Sequence, residues 1–442
     1  MLLNEQEARR ITDKILSFVK ADDAEVSVRS EKHSHLRFAG NAFLTSGNTV
    51  ERGAGVTVWI KGKRGSSSTT DFDDASLKAM VEEAEQIASI SPVDRQYLPT
   101  LGKQKYKESS GYVEATADLS LEKRAEQISK ILKQSEKADV ISAGFHEARA
   151  TAGAFATKNG NFGFEKETDV SLSITARTPD GGSSGYFGRS HFDIGRLDAG
   201  RIAREAIRKA KEGRNARTIE PGAYSVILEP QAVADLLGRI AFQFDARLAE
   251  EGRSPFSAKE GRTKLGEKIF DERINILSDP WNPEVPASAS ARDGIPAEKI
   301  YLVKNGVLEN LIYSRFWAKT KEKTPTPGPV NTILESGGKP NSLEEMIKAG
   351  DKTLLISRFW YIRSTDPRTA SVTGLTRDGV WMIEKGRVAY PVKNFRFNQS
   401  LIQMLAGGNV ELIGAPERVD DGELLPALKL KEFNFTSQSE AV

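Results

Sequence analysis

The chain has 442 residues, 38% hydrophobic and 28% charged, a composition typical of a globular protein with two or three domains. Its net charge is only +2, so the sequence lacks the basic excess usual in a protein that binds nucleic acid directly. It contains no cysteine, which excludes disulfides and thiolate chemistry and favours a reducing compartment such as the cytoplasm. No apolar run approaches about 18 residues, so we predict no signal peptide and no membrane span.

The first quarter of the chain is predicted to contain a helix, several strands and a second helix. Apolar residues at helical spacing predict the first helix over residues 4–20, with Asn4 as its N-cap. Gly47-Asn48 and the Gly/Ser segment at 62–69 are predicted to be turns. The remaining strand-like runs and the closing helix lie at residues 24–29, 35–43, 55–60 and 74–88.

The second quarter of the chain repeats this order. A helix is predicted over residues 118–138, and Asn159-Gly160 predicts a tight hairpin between two strand-like runs. The segment GGSSGYFGRS is predicted to be a turn before a helix at 196–211. The recurrence predicts an internal duplication of one mixed α/β unit, with repeats at residues 24–88 and 140–212.

The second half of the chain is expected to be richer in strands. A helix is predicted over residues 230–244, and a hairpin is predicted around Asn305-Gly306. The block at residues 358–400 alternates apolar and polar residues like β-structure. Asp378-Gly379 and Lys385-Gly386 are turn signals inside it.

Together these patterns predict an α+β fold in two domains. The N-terminal α+β domain is predicted over residues 1–216, and it contains the duplication. The C-terminal domain, over residues 217–442, is predicted to be β-rich, either barrel-like or a sandwich, with few helices.

Signatures of familiar catalytic sites are missing from the sequence. The Gly-rich segments lack the order of a phosphate-binding loop, and there is no G-x-S-x-G nucleophile motif. The histidines are His33, His35, His146 and His191. His33 and His35 share one strand face and are able to chelate a metal, although a surface pair is the more common arrangement. After His146-Glu147, the motif H-E-x-x-H requires a histidine where the chain has Ala150.

Three stretches of the sequence resemble a known family. WYIRSTDPRTASVTGLTRDG, followed by PVKNFRFNQS, resembles the C-terminal region of the TldD/PmbA family, in which PmbA is also named TldE. GVTVWIKGKRGSSSTTDFDDASLKAMVEEAEQIA resembles its N-terminal strand–turn–helix, and GRSPFSAKEGRTKLGE resembles the loop after its central helix. Members of this family have been called modulators of DNA gyrase and are linked to peptide-antibiotic maturation. The resemblance covers most of the chain.

The resemblance implies dimers, either homomeric or of TldD with TldE. It also implies a zinc site in the TldD member, held by an H-E-x-x-x-H helix and a distal cysteine. In this chain the corresponding positions fall approximately on Leu237, Gly238 and Phe242, and no histidine follows His191. The resemblance is therefore to the TldE-type member, with no catalytic residue, no metal and no other cofactor expected.

The leading hypothesis is a non-catalytic subunit of a TldD/TldE-type zinc peptidase, which dimerises and helps to hold an extended or unfolded peptide. Trp360, Tyr361, Arg363 and Arg377 are the candidate peptide contacts, although each is also explained as a structural residue. The expected partners are a second copy or a TldD-type peptidase and a peptide, without direct nucleic acid or membrane. Two alternatives stay open: a hydrolase with its own site, through His33/His35 or His146, and a binding protein that modulates DNA gyrase.

Overall fold

The computed structural model describes residues 2–439 and begins with a capped helix. Helix α1 spans Glu5–Phe18, and Asn4 is its N-cap, as predicted. The Asn4 Oδ1 accepts a hydrogen bond from the backbone N–H of Glu7 at 2.9 Å, and the Glu7 carboxylate accepts from the N–H of Asn4 at 3.1 Å. This capping box satisfies two amides that a helix start leaves free.

The N-terminal part of the chain is one antiparallel sheet with helices on one side. The elements after α1 are β1 Asp23–Ala39, β2 Ala42–Ile60, β3 Lys63–Thr69, α2 Asp74–Ile90, α3 Glu114–Ala117, α4 Leu121–Lys137, β4 Ile141–Thr157, β5 Phe162–Arg177, β6 Ser184–His191 and α5 Ala199–Glu212. The strands occur in the sheet in the spatial order β3-β2-β1-β4-β5-β6.

The predicted duplication is confirmed by this topology. The unit β1–β2–β3–α2 recurs as β4–β5–β6–α5, and the two copies join where β1 pairs with β4. One packing detail also recurs. A Cβ on Gly65 would lie 2.0 Å from the carbonyl oxygen of Ala84, and a Cβ on Gly185 would lie 2.3 Å from that of Ala206. In both copies the closing helix therefore lies directly on the backbone of the edge strand.

One predicted turn in this part is wrong, and two others hold only at their first residues, Gly62 and Gly181, which adopt positive φ. Gly47-Asn48 lies inside β2, and the hairpin turn is at Gly40 and Asn41, which both adopt positive φ. Gly47 is needed for a different reason, because a Cβ there would lie 2.6 Å from the His35 ring. The two Gly/Ser segments are largely the strands β3 and β6. Their small residues allow the helices to pack closely on the strands. Local sequence patterns do not reveal this long-range contact.

The C-terminal part contains two further sheets and short helices, in agreement with the predicted β-rich half. Its elements are β7 Gly222–Leu228, α6 Pro230–Leu237, α7 Ala246–Glu250, β8 Ile274–Ser278, β9 Ile300–Lys304, β10 Val307–Leu308, α8 Arg315–Thr320, β11 Thr332–Ser336, α9 Leu343–Lys348, β12 Thr353–Asp366, β13 Ser371–Glu384, β14 Arg387–Pro391, β15 Phe395–Ser400, α10 Leu401–Met404, β16 Val410–Ile413, β17 Glu417–Arg418, β18 Glu423–Leu425 and β19 Leu428–Gln438.

One apolar core joins the two C-terminal sheets. Strands β7, β12, β13, β14, β15 and β19 form a sheet with β16 alongside, and β8–β11 with β17 and β18 form the other. Val226 and Phe397 from the first sheet, Ile276 from the second and Leu237 from α6 belong to the same buried cluster. The hairpin at Asn305-Gly306 is confirmed as the turn between β9 and β10.

Two predictions in the C-terminal part need correction. The helix predicted over 230–244 ends at Leu237 and continues only as a short 3-10 turn, Ala241–Phe244. Asp378-Gly379 is not a hairpin turn but lies within β13, with φ values of 56° and 137°. A Cβ on Gly379 would lie 2.2 Å from the Trp381 ring, so the indole can occupy this position only because residue 379 has no side chain. Lys385-Gly386 does turn the chain between β13 and β14.

Polar contacts connect the second repeat to the C-terminal part. The Lys209 ammonium on α5 forms a buried ion pair with Glu229 at 2.5 Å. The Ser184 hydroxyl on β6 donates to the Asp378 carboxylate at 2.7 Å. Whether the predicted boundary between residues 216 and 217 separates independently folding domains stays a prediction. Among the helices of residues 2–439, none has the length and apolar character to cross a membrane.

Candidate functional site

The N-terminal sheet has one face covered by helices and one polar face, which we call the open face. Along β1, Ala24, Val26 and Val28 are buried beneath the helices, whereas the alternate residues of the strand point the other way. The open-face residues are mostly polar or charged. They include Arg29, Glu31 and His33 on β1, Glu147 and Arg149 on β4, and Glu165, Glu167 and Asp169 on β5.

Ion pairs and one histidine–carboxylate contact connect side chains of the open face. The Arg149 Nε lies 3.3 Å from the Glu31 carboxylate, and Arg29 contacts the same carboxylate at 2.5 Å. The His33 Nε2 lies 3.1 Å from the Glu147 carboxylate. These side chains are partly exposed, so each pair adds only about 0–1 kcal/mol to stability. Their main effect is to keep charged groups in place over the sheet.

A charged cavity of about 270 Å³ lies between the open face and the C-terminal part. Glu167 and Asp169 line one wall, and Arg418 and Asp421 line the other. The Arg418 guanidinium donates to the carbonyl of Ser190 at 3.0 Å, and its Nη2 lies 3.6 Å from the Asp169 carboxylate. Burial, reinforced by Asp421, raises the pKa of Asp169 to about 7 although Arg418 opposes the shift. This wall is therefore able to exchange a proton near neutral pH.

A second, more apolar cavity of about 320 Å³ lies beside the charged one. Tyr106 and Phe155 meet there edge to face, with ring centroids 5.7 Å apart. Phe155 lies across Gly163, where a Cβ would be 2.4 Å from the ring. Glu165 and Glu167 line both cavities, so a place for an apolar side chain adjoins one for a charged side chain. Neither cavity could be predicted from the sequence, because distant segments line them.

Three of the four predicted peptide-contact residues come together at the other end of the open face. The Arg377 guanidinium lies 3.7 Å from the centroid of the Trp360 ring, and the Tyr361 ring centroid is 4.0 Å from that of Trp360. Arg363 is exposed, and its Nη1 lies 3.4 Å from the carbonyl of Ile362. Tyr361 is exposed and has a φ of 52°, at an irregularity in the pairing of β12 with β13. Such irregularities re-aim side chains and are frequent beside functional sites.

Trp360 and Arg377 border the open face directly. They line a shallow pocket together with Ile141, Thr175 and Arg177 from the ends of β4 and β5. Along β5, Arg177 is twelve residues from Glu165, which corresponds to about 40 Å of extended strand. A peptide that contacts both ends of the open face would thus need roughly twelve extended residues.

Comparison with protein families gives three matches along the chain. PmbA/TldA metallopeptidase domain 1 matches residues 24–88, the central domain matches 114–214, and the C-terminal domain matches 221–437. The chain belongs to the PmbA/TldD family. The first match corresponds to the first repeat of the N-terminal sheet. The second match contains the second repeat together with α3 and α4, and the third corresponds to the C-terminal part.

Individual members of the PmbA/TldD family are distant in sequence. An uncharacterised protein, MJ0231, from Methanocaldococcus jannaschii is 28% identical over 286 residues, which is 63% of each chain. A protein named metalloprotease from Methanothermobacter thermautotrophicus is 24% identical over 336 residues, or 65% of this chain and 68% of that one. The match therefore spans slightly less than two thirds of the length of the first relative.

Solved structures of the family share the whole fold. The solved structure of TM0727 from Thermotoga maritima superposes with a TM-score of 0.86 at 18% identity, and the match covers 97% of this chain and 100% of that one. TldE from Thermococcus kodakarensis gives 0.84 at 17% identity, with 97% and 99% covered. At these identities the likeness establishes the fold alone.

The zinc ion that the metallopeptidase family implies does not fit the residues of this chain. Of the approximate motif positions, Leu237 is buried in the core, Gly238 caps the end of α6, and Phe242 is 78% exposed beyond the helix. None carries an oxygen, nitrogen or sulfur ligand on its side chain. Within residues 2–439, no group of three or more His, Asp or Glu side chains is placed to hold a metal.

The histidines occupy three different environments. His33 and His35 share the open face as predicted, with ring centroids 5.8 Å apart. His146 is buried on the helix side, and burial, helped by Arg124, lowers its pKa to about 4. His191 is also buried, and its Nδ1 accepts a hydrogen bond from the backbone N–H of Asp193 at 2.9 Å. The structure therefore does not bring His146 or His191 to the His33/His35 pair as a joint site.

Two half-buried carboxyl groups were missed by sequence reasoning. Asp235 on α6 accepts a hydrogen bond from the backbone N–H of Phe359 at 2.7 Å, and burial raises its pKa to about 6. Burial, with Asp420 and Asp235 nearby, raises the pKa of Glu423 to about 7. Asp235 stands among the apolar residues of α6, and an acidic residue on a buried helix face is the signal that could have singled it out.

Proposed function

We propose that this chain is a non-catalytic, TldE-like subunit of a TldD/TldE-type zinc peptidase. It dimerises in the cytoplasm and holds an extended or unfolded peptide along its open face while a zinc-containing partner cleaves it. The observation that carries the proposal is the contrast between the retained family fold and the motif positions Leu237, Gly238 and Phe242, which offer no zinc ligand.

The open face supports the peptide-holding role. Its charged cavity and its apolar cavity share Glu165 and Glu167, and an extended peptide bound along a sheet places its side chains in such adjoining pockets. Trp360, Tyr361 and Arg377 give an aromatic and cationic surface at the other end. Arg363, exposed on the same strand, provides a further guanidinium for a peptide carboxylate or carbonyl.

The first test is the metal content and activity of the purified chain. Inductively coupled plasma mass spectrometry should find well under one zinc per chain, and the chain alone should not cleave an unfolded protein. Adding a TldD-type peptidase from the same organism should produce cleavage that a chelator stops. Chelator-sensitive cleavage by this chain without any such peptidase would contradict the proposal and favour a hydrolase with its own site.

The second test concerns the predicted peptide contacts. Trp360→Ala and Arg377→Ala should each raise the Kd for a labelled unstructured peptide of about 15 residues by roughly ten-fold, because they remove aromatic and cationic contacts. Fluorescence anisotropy measures the change. Val388→Ala, which truncates an exposed apolar residue on β14, is the control and should leave the Kd unchanged. Equal effects of all three variants would reject these contacts.

A further inference from the structure

Two arginines at the end of the open face are mostly buried and lack a hydrogen-bond acceptor. The side chains of Arg358 and Arg377 are only 19% and 18% exposed. Neither guanidinium donates a hydrogen bond to any residue between 2 and 439, and the Arg358 Nε is buried without an acceptor. Charged groups that are buried to this extent normally have hydrogen-bond partners. Both arginines are therefore able to bind an anion that the described part of the chain does not supply.

Both guanidiniums lie near the carboxylate of Asp378, which does not satisfy them. The Asp378 Oδ2 is 3.6 Å from the Arg358 Nη1 and 3.6 Å from the Arg377 Nε, and both distances exceed normal hydrogen-bond length. The other oxygen of this carboxylate accepts a hydrogen bond from the Ser184 hydroxyl at 2.7 Å. Asp378 therefore fixes the positions of two cations but offsets the charge of only one, and the pair keeps a net positive charge.

Aromatic rings hold both guanidiniums by their faces and leave their edges available. The Arg377 guanidinium lies 3.7 Å from the centroid of the Trp360 ring, and that of Arg358 lies 4.0 Å from the centroid of the Tyr186 ring. A guanidinium that lies over a ring still donates hydrogen bonds from its edge. Both arginines line one pocket of about 380 Å³. We call it the arginine pocket, and its walls include Arg358, Trp360, Arg377, Ala143 and Thr175.

We infer that the arginine pocket binds the C-terminal carboxylate of the peptide that lies on the open face. The inference rests on the proposed function, because it specifies one end of the bound peptide. Guanidinium groups match the planar fork of a carboxylate and bind it through charge-assisted hydrogen bonds. The pocket lies where β4 begins at Ile141 and β5 ends at Arg177, so a peptide that follows the open face reaches the end of the sheet there. This position selects a terminal carboxylate over an acidic side chain within the peptide.

The charges on the open face favour one direction of the peptide. Six carboxyl groups and four cationic side chains line the charged cavity, so a terminal carboxylate bound at that end would meet like charges. In the inferred direction the carboxylate lies beside Thr175, which is six residues from Asp169 along β5, or about 20 Å of extended strand. The side chain about six residues before the C-terminus would then lie at the charged cavity, where a lysine or arginine is favoured.

The first experiment compares one peptide as its free acid and as its C-terminal amide. The probe is a labelled, unstructured peptide of about 15 residues without aspartate or glutamate and with one lysine six residues before the C-terminus. The wild-type chain should bind the free acid about ten-fold more tightly than the amide, because the amide cannot form charge-assisted hydrogen bonds. Fluorescence anisotropy gives both Kd values. Equal Kd values, or an amide whose affinity is restored by an internal aspartate, would overturn the inference.

Variants of the arginines assign the preference for the free acid to the pocket. In Arg358→Gln the Kd for the free acid should rise about ten-fold and the Kd for the amide should barely change, whereas a purely structural defect would weaken both peptides alike. Arg377→Lys keeps the charge without the fork and should retain part of the preference. Arg387→Gln, the same change at an exposed arginine on β14, is the matched control and should alter neither Kd. A folded Arg358→Gln chain, checked by circular dichroism, that keeps the full preference would contradict the assignment.

Photo-cross-linking tests the direction of the peptide. A benzophenone on the last residue should attach to β12 or β13, and one placed six residues earlier should attach to β5 near Asp169, as peptide mapping by mass spectrometry would show. The opposite assignment would overturn the inferred direction.

The inference and the proposed function fail separately. Equal binding of the free acid and the amide refutes the carboxylate site but leaves the peptide-holding role intact. Failure of both peptides to bind refutes the carboxylate site and the peptide-holding role together. Zinc-dependent cleavage by the chain alone refutes the non-catalytic role, whichever peptide binds.

Discussion

The two repeats of the N-terminal sheet share a topology but differ in what surrounds them. Matching Ala84 with Ala206 places Ile87 of the first repeat at the position of Lys209 in the second. Ile87 is 37% exposed, whereas Lys209 is 2% exposed and paired with Glu229 of the C-terminal part. The second repeat is thus packed against the rest of the chain. In the first repeat, Ile87 on α2 is exposed to solvent, and β3 pairs only with residues 54–60 of β2. The contrast shows that duplication preserved the packing within each unit and allowed the outer surfaces to diverge.

The largest expected effect tests the packing that the repeats share. Gly65→Ala and Gly185→Ala should each destabilise the protein by more than about 3 kcal/mol, because the new Cβ would meet a helix carbonyl at 2.0 and 2.3 Å respectively. Urea unfolding followed by circular dichroism gives the free energy. Gly53→Ala, with its nearest atom at 3.6 Å, is the control and should change it by less than about 1 kcal/mol. Tolerance of one variant alone would show that the repeats pack differently.

The next effect tests the surface on which the repeats diverge. Lys209→Met should cost about 3 kcal/mol, because it leaves the Glu229 carboxylate buried without its partner. Ile87→Lys, at the matching position, should change stability by less than about 0.5 kcal/mol because that position faces solvent. The double variant Lys209→Met, Glu229→Gln should recover part of the loss. Equal losses of stability on substitution at positions 87 and 209 would contradict the inferred difference between the two repeats.

The smallest effect concerns the charged cavity, to which the second repeat contributes Asp169. Asp169 has a pKa of about 7 in the folded chain against an ordinary value of 3.8, so the folded state binds more protons between these values. Its contribution therefore lowers the free energy of unfolding as pH rises through that window. Asp169→Asn should be more stable than the wild type by about 1 kcal/mol at pH 8 and about equal at pH 4.

The control for the pH experiment removes a neighbouring charge. Asp421→Asn should lower the pKa of Asp169, because Asp421 is the next cause of its shift after burial. The dependence of stability on pH should then become shallower. A profile of Asp169→Asn that runs parallel to that of the wild type from pH 4 to pH 8 would contradict the assignment.

Sequence reasoning succeeded where local chemistry decides the structure. The Asn4 N-cap and the turns at Asn159-Gly160 and Asn305-Gly306 depend on residues close together in the chain, and all three were predicted. It failed where a contact with a residue far away in the sequence determines which residue a position can hold. A side chain at position 47 would clash with His35, and one at position 65 would clash with α2. Both glycines are therefore required by packing, although the sequence suggested that they were turn residues.

The candidate site shows the same limit. Trp360, Arg363 and Arg377 could be singled out because aromatic and arginine residues recur in one block, and the structure places Trp360 and Arg377 in contact. The charged cavity could not be predicted, because Asp169 and Arg418 are far apart in the chain and meet only through the fold. The sequence around each of these two residues contains no pattern that distinguishes it from an ordinary surface residue.

The central pairing of β1 with β4 has a consequence for how the chain folds during synthesis. Glu25 is paired with Thr157 and Phe38 with Gly144, so this contact closes only after more than a hundred further residues have been made. Until then the β1–β2 hairpin has two unpaired edges rather than one. Long-range strand pairing of this kind is slow and leaves intermediates prone to aggregation. The first repeat is therefore expected to stay prone to aggregation until the second repeat has left the ribosome. A ribosome stalled before β4 would carry a nascent chain in which the central edge of β1 has no partner strand.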